Sequence, residues 1–176
     1  MTNEQSSVSA DQIDLHPFMS SQARERALNT AIVQANISES FEEFLGTFDV
    51  YYDDDIEVNS ETANEPIRGK EKVRSILANF LVPLHIMAEV GGLSISVRHT
   101  AIAGDVADET HSAWTLDLIG VSGRTCTVSW CTLRKWNGSR VVYEYHYDQR
   151  QNGGPLTSHD LSFDVATSAA GFRRPS

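Results

Sequence analysis

At 176 residues the chain is long enough for one well-buried domain and too short for two ordinary ones. Lys plus Arg number 14 against 24 Asp plus Glu, a formal net charge of −10, and without a local basic cluster that balance opposes binding to nucleic-acid phosphate or an anionic membrane. No apolar run approaches the roughly 18 residues that span a bilayer, and the polar start MTNEQSSVSADQ lacks the basic opening and apolar core of a secretory signal, so a soluble, cytoplasmic protein is expected.

Residues 1–15 and 152–176 are rich in Ser, Gly, Asn and Thr and show little apolar periodicity. They are expected as tails flanking a domain over 16–151. From Ser21 to Gln34, Ala23, Ala27, Leu28, Ala31 and Ile32 recur at helical spacing. Ser40 followed by Glu43 fits a capping box, which predicts a short second helix over FEEFLGTF. Asp53-Asp54-Asp55 resists continued burial, and Ile56 to Asn59 alternates as a short strand. After Gly69, the residues Val73, Ile76, Leu77, Phe80, Leu81 and Leu84 form one apolar helical stripe, limited by Pro83.

Beyond Gly91-Gly92 the period changes to two. Leu93 to Ala103, Val106 to Ile119, Thr125 to Trp136 and Arg140 to Gln149 read as four long strands joined by short turns, hence an antiparallel meander. Helices followed by a meander predict an α+β fold, with the helices gathered on one face of a curved sheet. Cys126 and Cys131 lie five apart on one strand, point to opposite faces and read as reduced thiols.

This order of elements, with EPIRGKEKV opening the long helix, WNGSRV at the last hairpin and AWTLDLIGVSGRTCTVSW before it, resembles the SnoaL-like branch of the nuclear-transport-factor-2-like superfamily over roughly residues 22–150. The resemblance implies a cone-shaped barrel, three N-terminal helices packed on a curved, mainly antiparallel sheet, with a pocket between them. It implies no single activity, because the superfamily includes isomerases, dehydratases, epoxide hydrolases, cyclases and non-catalytic binding proteins. The ketosteroid-isomerase general base falls on Ser60. The epoxide-hydrolase charges fall on Ser112, Thr110 and Tyr145, with its pocket Asn at Asn59, and the cyclase His and Asp fall on Cys131 and Tyr145.

The stretch RVVYEYHYDQR sets Tyr143, Tyr145 and Tyr147 on one face of the last strand and Glu144, His146 and Asp148 on the other. Two hairpin registers are open at Asn137-Gly138. Hydrophobic matching joins the tyrosines to Val128, Trp130 and Thr132. The alternative joins them to Thr127, Ser129, Cys131 and Leu133, and the resemblance favours it. On that reading the pocket is lined by Trp114, Leu116, Thr127, Ser129, Cys131, Tyr143 and Tyr147, with Tyr145 and Asn59 as the catalytic pair. Trp130, Thr132, Glu144 and His146 then lie outside, on a face expected to meet a second copy in a homodimer.

The pocket's mixture of Tyr, Ser, Thr and Trp suggests a small, largely apolar, oxygenated ligand. Chemistry there would be cofactor-free isomerisation, dehydration or cyclisation; the alternative is a non-catalytic ligand-binding or homodimerisation domain. No metal site is expected. His111 and Glu109 offer only two ligands where a catalytic zinc wants three, and His85 reads as a helix-end residue.

Overall fold

The computed structural model describes residues 19–37, 41–89, 92–102 and 108–156. Among the described residues three helices, α1 (Ser21–Ile37), α2 (Phe41–Tyr51) and α3 (Lys70–Glu89), accompany six strands, β1 (Tyr52–Ser60), β2 (Ile67–Arg68), β3 (Leu93–Ile102), β4 (Glu109–Gly120), β5 (Thr125–Asn137) and β6 (Arg140–Asn152). The strands form one sheet in the order β2-β1-β6-β5-β4-β3. β3 to β6 are the expected antiparallel meander, whereas β1 pairs parallel to β6. The expected tail over 1–15, the Ser40 cap and the turn at Gly104-Asp105 lie outside the described residues.

Two elements run further than their sequence predicts. The strand expected from Ile56 begins at Tyr52, and its aspartates avoid burial: Asp54 and Asp55 are exposed and Asp54 meets Lys70 Nζ at 2.5 Å. Helix α3 continues through Pro83 to Glu89; a proline removes one helical hydrogen bond without forbidding those on either side. Gly69 starts this helix at φ +88, a conformation that favours glycine, with its N–H donating to Ile56 O at 2.9 Å.

The core lies between α1, α2 and the β1–β6–β5 part of the sheet. Leu28, Phe44, Leu45, Phe48, Tyr52, Ile56, Trp136 and Val141 are buried in one cluster. Phe48 and Tyr52 stack with ring centroids 4.4 Å apart.

The last hairpin decides which residues face this interior. Gly138 takes φ +59 in the turn, Asn137 pairs with Arg140, and Trp136 pairs with Val141. One residue, Val142, is then accommodated as a bulge, so that Lys135, Leu133 and Cys131 pair with Tyr143, Tyr145 and Tyr147. Trp136 and Val141 face the core; beyond the bulge, Arg134 and Glu144 do so. The tyrosines therefore keep Cys131 and Leu133 as companions, but the whole set lies on the outer face. The expected inward and outward faces of β6 are reversed.

Candidate functional site

Between the helices and the inner sheet face is a cavity of about 250 Å³. Its wall is mostly apolar: Ile32 of α1, Phe44 and Phe48 of α2, Val73, Ile76 and Leu77 of α3, and Ile95, Val97 and Leu116 from β3 and β4. The polar contribution comes from Tyr52, Trp114, Trp130, Thr132, Arg134, Glu144 and His146. A strand reads out every second residue on one face, which is why Trp130, Thr132 and Arg134 arrive together beside Glu144 and His146.

Arg134, only 3 % exposed, holds two carboxylates. Its Nε donates to Glu144 Oε2 at 2.6 Å, and Nη1 donates to Glu25 Oε1 at 2.7 Å and Asn29 Oδ1 at 2.8 Å. Glu25 also accepts from Ser112 at 2.5 Å and from Thr110 at 2.8 Å, while Trp136 Nε1 donates to Thr110 Oγ1 at 2.8 Å. Charges buried this deeply are tolerated only when paired and hydrogen-bonded throughout. The network ties α1 to β4, β5 and β6.

Glu144 connects that network to the cavity. Oε2 also accepts from the Tyr52 hydroxyl at 2.7 Å, and Oε1 lies 2.7 Å from His146 Nε2. Burial pushes the Glu144 carboxyl upward, but Arg134, His146 and Tyr52 outweigh it and hold it well below the usual carboxylate range. Burial, opposed by Arg134 and reinforced by Glu144, pushes the Tyr52 phenol well above its ordinary value, so it remains a donor. For Arg134, burial disfavours the charge, yet Tyr52, Glu144 and Glu25 overcome it and raise the guanidinium still further.

An ionised carboxylate only accepts hydrogen bonds. His146 must therefore carry its hydrogen on Nε2 toward Glu144, which in the neutral ring leaves Nδ1 as the lone-pair nitrogen. A partly exposed imidazole, oriented by a buried carboxylate in an apolar cavity, can take up and return a proton.

Of the residues expected in the pocket, Trp114 and Leu116 line the cavity. Tyr143, Tyr145, Tyr147 and Cys131 are on the outer face, where Tyr145 and Tyr147 stack at 6.0 Å and Tyr147 OH lies 3.0 Å from His111 Nδ1. Thr127 is there too, donating to Asp117 at 2.7 Å, and Ser129 alternates with the cavity residue Trp130. Asn59 pairs with Tyr145, one residue from the cavity residue Val58, and its Oδ1 accepts from Ser60 N at 2.8 Å. The expected catalytic pair is thus brought together, but on the far side of the sheet. Both cysteines are unbridged, Cys126 being buried and Cys131 partly so. Among the described residues no group of three or more His, Cys, Asp or Glu is placed to hold a metal, and no helix is long and apolar enough to cross a membrane. The side chain of His85 lies outside the description.

Sequence periodicity missed Glu25, Asn29 and Arg134. A signal existed: Glu25, Leu28, Asn29 and Ile32 lie at i, i+3, i+4 and i+7, a helical stripe with two polar members.

No protein-family model matches the sequence, and no curated protein matches it. Solved structures do. A candidate SnoaL-like polyketide cyclase from Mesorhizobium loti superimposes with a TM-score of 0.51 at 14 % identity, covering 73 % of this chain and 99 % of that one. A candidate isomerase from Bacillus subtilis gives 0.53 at 10 % identity, covering 76 % and 90 %. A second candidate SnoaL-like polyketide cyclase, from Jannaschia sp. CCS1, gives 0.51 at 10 % identity over 87 % and 94 %. Identities this low carry the fold alone.

Proposed function

For a chain with the α+β cone of the SnoaL-like, nuclear-transport-factor-2-like superfamily, we propose that the cavity binds a small, largely apolar, oxygenated molecule and that His146 transfers a proton within it. The reaction class is cofactor-free isomerisation, dehydration or cyclisation. One observation carries the reading: the 2.7 Å contact between His146 Nε2 and a Glu144 carboxylate that Arg134 and Tyr52 keep ionised, at the wall of an otherwise apolar cavity. Glu144 orients the ring through its contact with Nε2. His146 Nδ1 acts as base and then as acid, and the apolar wall excludes the water that would compete for the proton.

The test is proton–deuterium exchange of a bound ketone, followed by NMR in the wild type and in His146→Gln. A general base contributes typically ~10²–10⁴-fold, so loss of exchange by about that factor supports the assignment. Equal exchange rates in the two proteins would refute it.

A second reading, a homodimer through the outer sheet face, is favoured by the half-buried Tyr143, Tyr145 and Tyr147 beside Cys131. Large aromatics left partly wet on a flat face suit a second copy. Native mass spectrometry of wild type and Tyr145→Lys tests it: a dimer lost in the variant supports the reading, and a monomeric wild type rejects it.

A further inference from the structure

The outer sheet face carries a second group of ionisable side chains, separated from the cavity by the sheet itself. Cys131 is paired with Tyr147 of β6 on one side and with Ala113 of β4 on the other. Two residues from Ala113 along β4 stands His111, opposite Leu133 and on the same face. The Tyr147 side chain reaches over β5 and brings its hydroxyl 3.0 Å from His111 Nδ1, with the two rings edge-on at 85°.

The same hydroxyl is hydrogen-bonded with the Cys131 thiol. Burial first, and then that thiol, raise the Tyr147 phenol above its ordinary value, so at neutral pH it is a protonated bridge between sulfur and imidazole. On the far side of the ring, His111 Nε2 lies 3.5 Å from Glu109 Oε1. A carboxylate only accepts, so the ring hydrogen points from Nε2 toward Glu109, and Nδ1 is left to accept from the Tyr147 hydroxyl. The phenol oxygen accepts from the thiol in turn. Cys131, Tyr147, His111 and Glu109 thus run in one line across three strands: a nucleophile, a bridge, a base and the group that orients the base. All four residues are partly exposed.

We propose that these four residues form a thiol-modification site, at which Cys131 takes up a low-molecular-weight disulfide as a mixed disulfide. As the sulfur attacks, its proton passes to the Tyr147 oxygen and the Tyr147 proton passes to His111 Nδ1. The new bond joins Cys131 Sγ to one sulfur of the disulfide, whose own S–S bond breaks. The leaving sulfur keeps the electron pair of that bond and receives the proton back from Nδ1 through Tyr147. One thiol and one disulfide are consumed, one mixed disulfide and one small thiol are formed, and the disulfide is the only oxidant required.

The relay matters only while the thiol is protonated. A free cysteine ionises near pH ~8.5, so about 3 % of an unaided thiol is ionised near pH 7 and the relay can raise the rate by at most about thirtyfold. The other charged groups on this face are Tyr145 and Asp148 of β6, Lys135 of β5, which lies 3.9 Å from Glu109, and Arg98 of β3, which is held by Asp117. Dithiodipyridine is the probe: its released thiopyridone gives the rate by absorbance, and peptide mass spectrometry gives the site. In the native wild type one equivalent is expected to react, at Cys131, while Cys126, 5 % exposed and on the opposite face of the strand, stays unmodified. Tyr147→Phe keeps the ring and removes the bridge. It should slow the reaction about tenfold near pH 7 and match the wild type within about twofold near pH 9.5, where sulfur ionises unaided. His111→Gln should behave in the same way. Tyr145→Phe, whose ring stacks on Tyr147 outside the relay, should change neither rate. If Tyr147→Phe does not fold, His111→Gln and its comparison at the two pH values carry the test.

A Cys131 that does not react in the wild type, as when a second copy covers this face, overturns the site. So does a rate near pH 7 that is unchanged in Tyr147→Phe and His111→Gln, which would make Cys131 an ordinary surface thiol. Slowing by the same factor at both pH values overturns it too, because altered packing or access acts whatever the ionisation of the sulfur.

Discussion

Replacing Glu144 by Gln keeps the side chain's shape and removes its charge, and the consequences can be worked through atom by atom. The carboxylate now accepts from Tyr52 at 2.7 Å, Arg134 at 2.6 Å and His146 at 2.7 Å. In the variant, the amide oxygen takes the place facing Tyr52 and Arg134, since both are donors, and the amide nitrogen is left facing His146. Two effects follow. The bond to Arg134 falls from a charge-assisted one, worth ~1.5–3 kcal/mol, to one nearer 1 kcal/mol, a loss of about 1 kcal/mol with Glu25 still neutralising the guanidinium. The amide N–H also makes His146 Nε2 an acceptor, so the ring hydrogen moves to Nδ1 and the cavity loses its base. Ketone exchange should therefore fall by about 10²-fold or more.

The pH dependence gives a sharper test. The folded-state pKa of Glu144 is depressed, so the native state binds fewer protons than the unfolded chain across the carboxylate range. Its stabilisation is present above the unfolded value of about 4.3 and is lost as pH falls through the folded one. Urea unfolding of the two proteins from pH 7 downward should show a gap of about 1 kcal/mol at neutral pH that narrows in acid. A gap that stays constant with pH would refute the placement of Glu144 as a buried anion held by Arg134.

Tyr145→Phe should leave ketone exchange within about twofold of wild type, because Tyr145 lies opposite Leu133 on the outer face; a hundredfold loss would put it back in the cavity. Phe48→Ala removes a ring stacked 4.4 Å from Tyr52 and part of the cavity wall, at a cost of about 3–5 kcal/mol, measurable by denaturant unfolding. Gly69→Ala meets no atom nearer than Asp54 O at 3.9 Å, so its cost is the strain of φ +88 alone, about 1–2 kcal/mol. A neutral result in the same assay would show that α3 can start in another conformation.

The outer face would have looked like the pocket to any reading that counted alternation from the turn. Asn137 pairs with Arg140, and unbroken alternation from there sets Tyr143 opposite Arg134, on the inner face. Val142 interrupts the count. One extra residue exchanges the two faces of everything beyond it, sending Glu144 and His146 inward with Thr132 and Arg134. Nothing in the string RVVYEYHYDQR marks Val142 as the bulge, since neighbouring β-branched residues are common in ordinary strands. Likewise, α1 carries Arg24, Glu25 and Asn29 on its buried side, where a sequence reading sends charge to solvent. Their partners, Asp108 just before β4, Ser112 in β4 and Arg134 in β5, lie more than eighty residues away.

The sequence by itself determined the number and order of the helices, the four-stranded meander and the α+β class, because the periods of 3.6 and 2 are local properties of the chain. It also carried the resemblance to SnoaL-like proteins, whose fold the structure has. The parallel β1–β6 pairing, the direction of each β6 side chain and the pairing of Arg134 with two glutamates were decided only in the tertiary structure. Each depends on a register or a contact between distant segments, and such choices are made by packing and charge compensation across the fold, not by the neighbours of a residue along the chain.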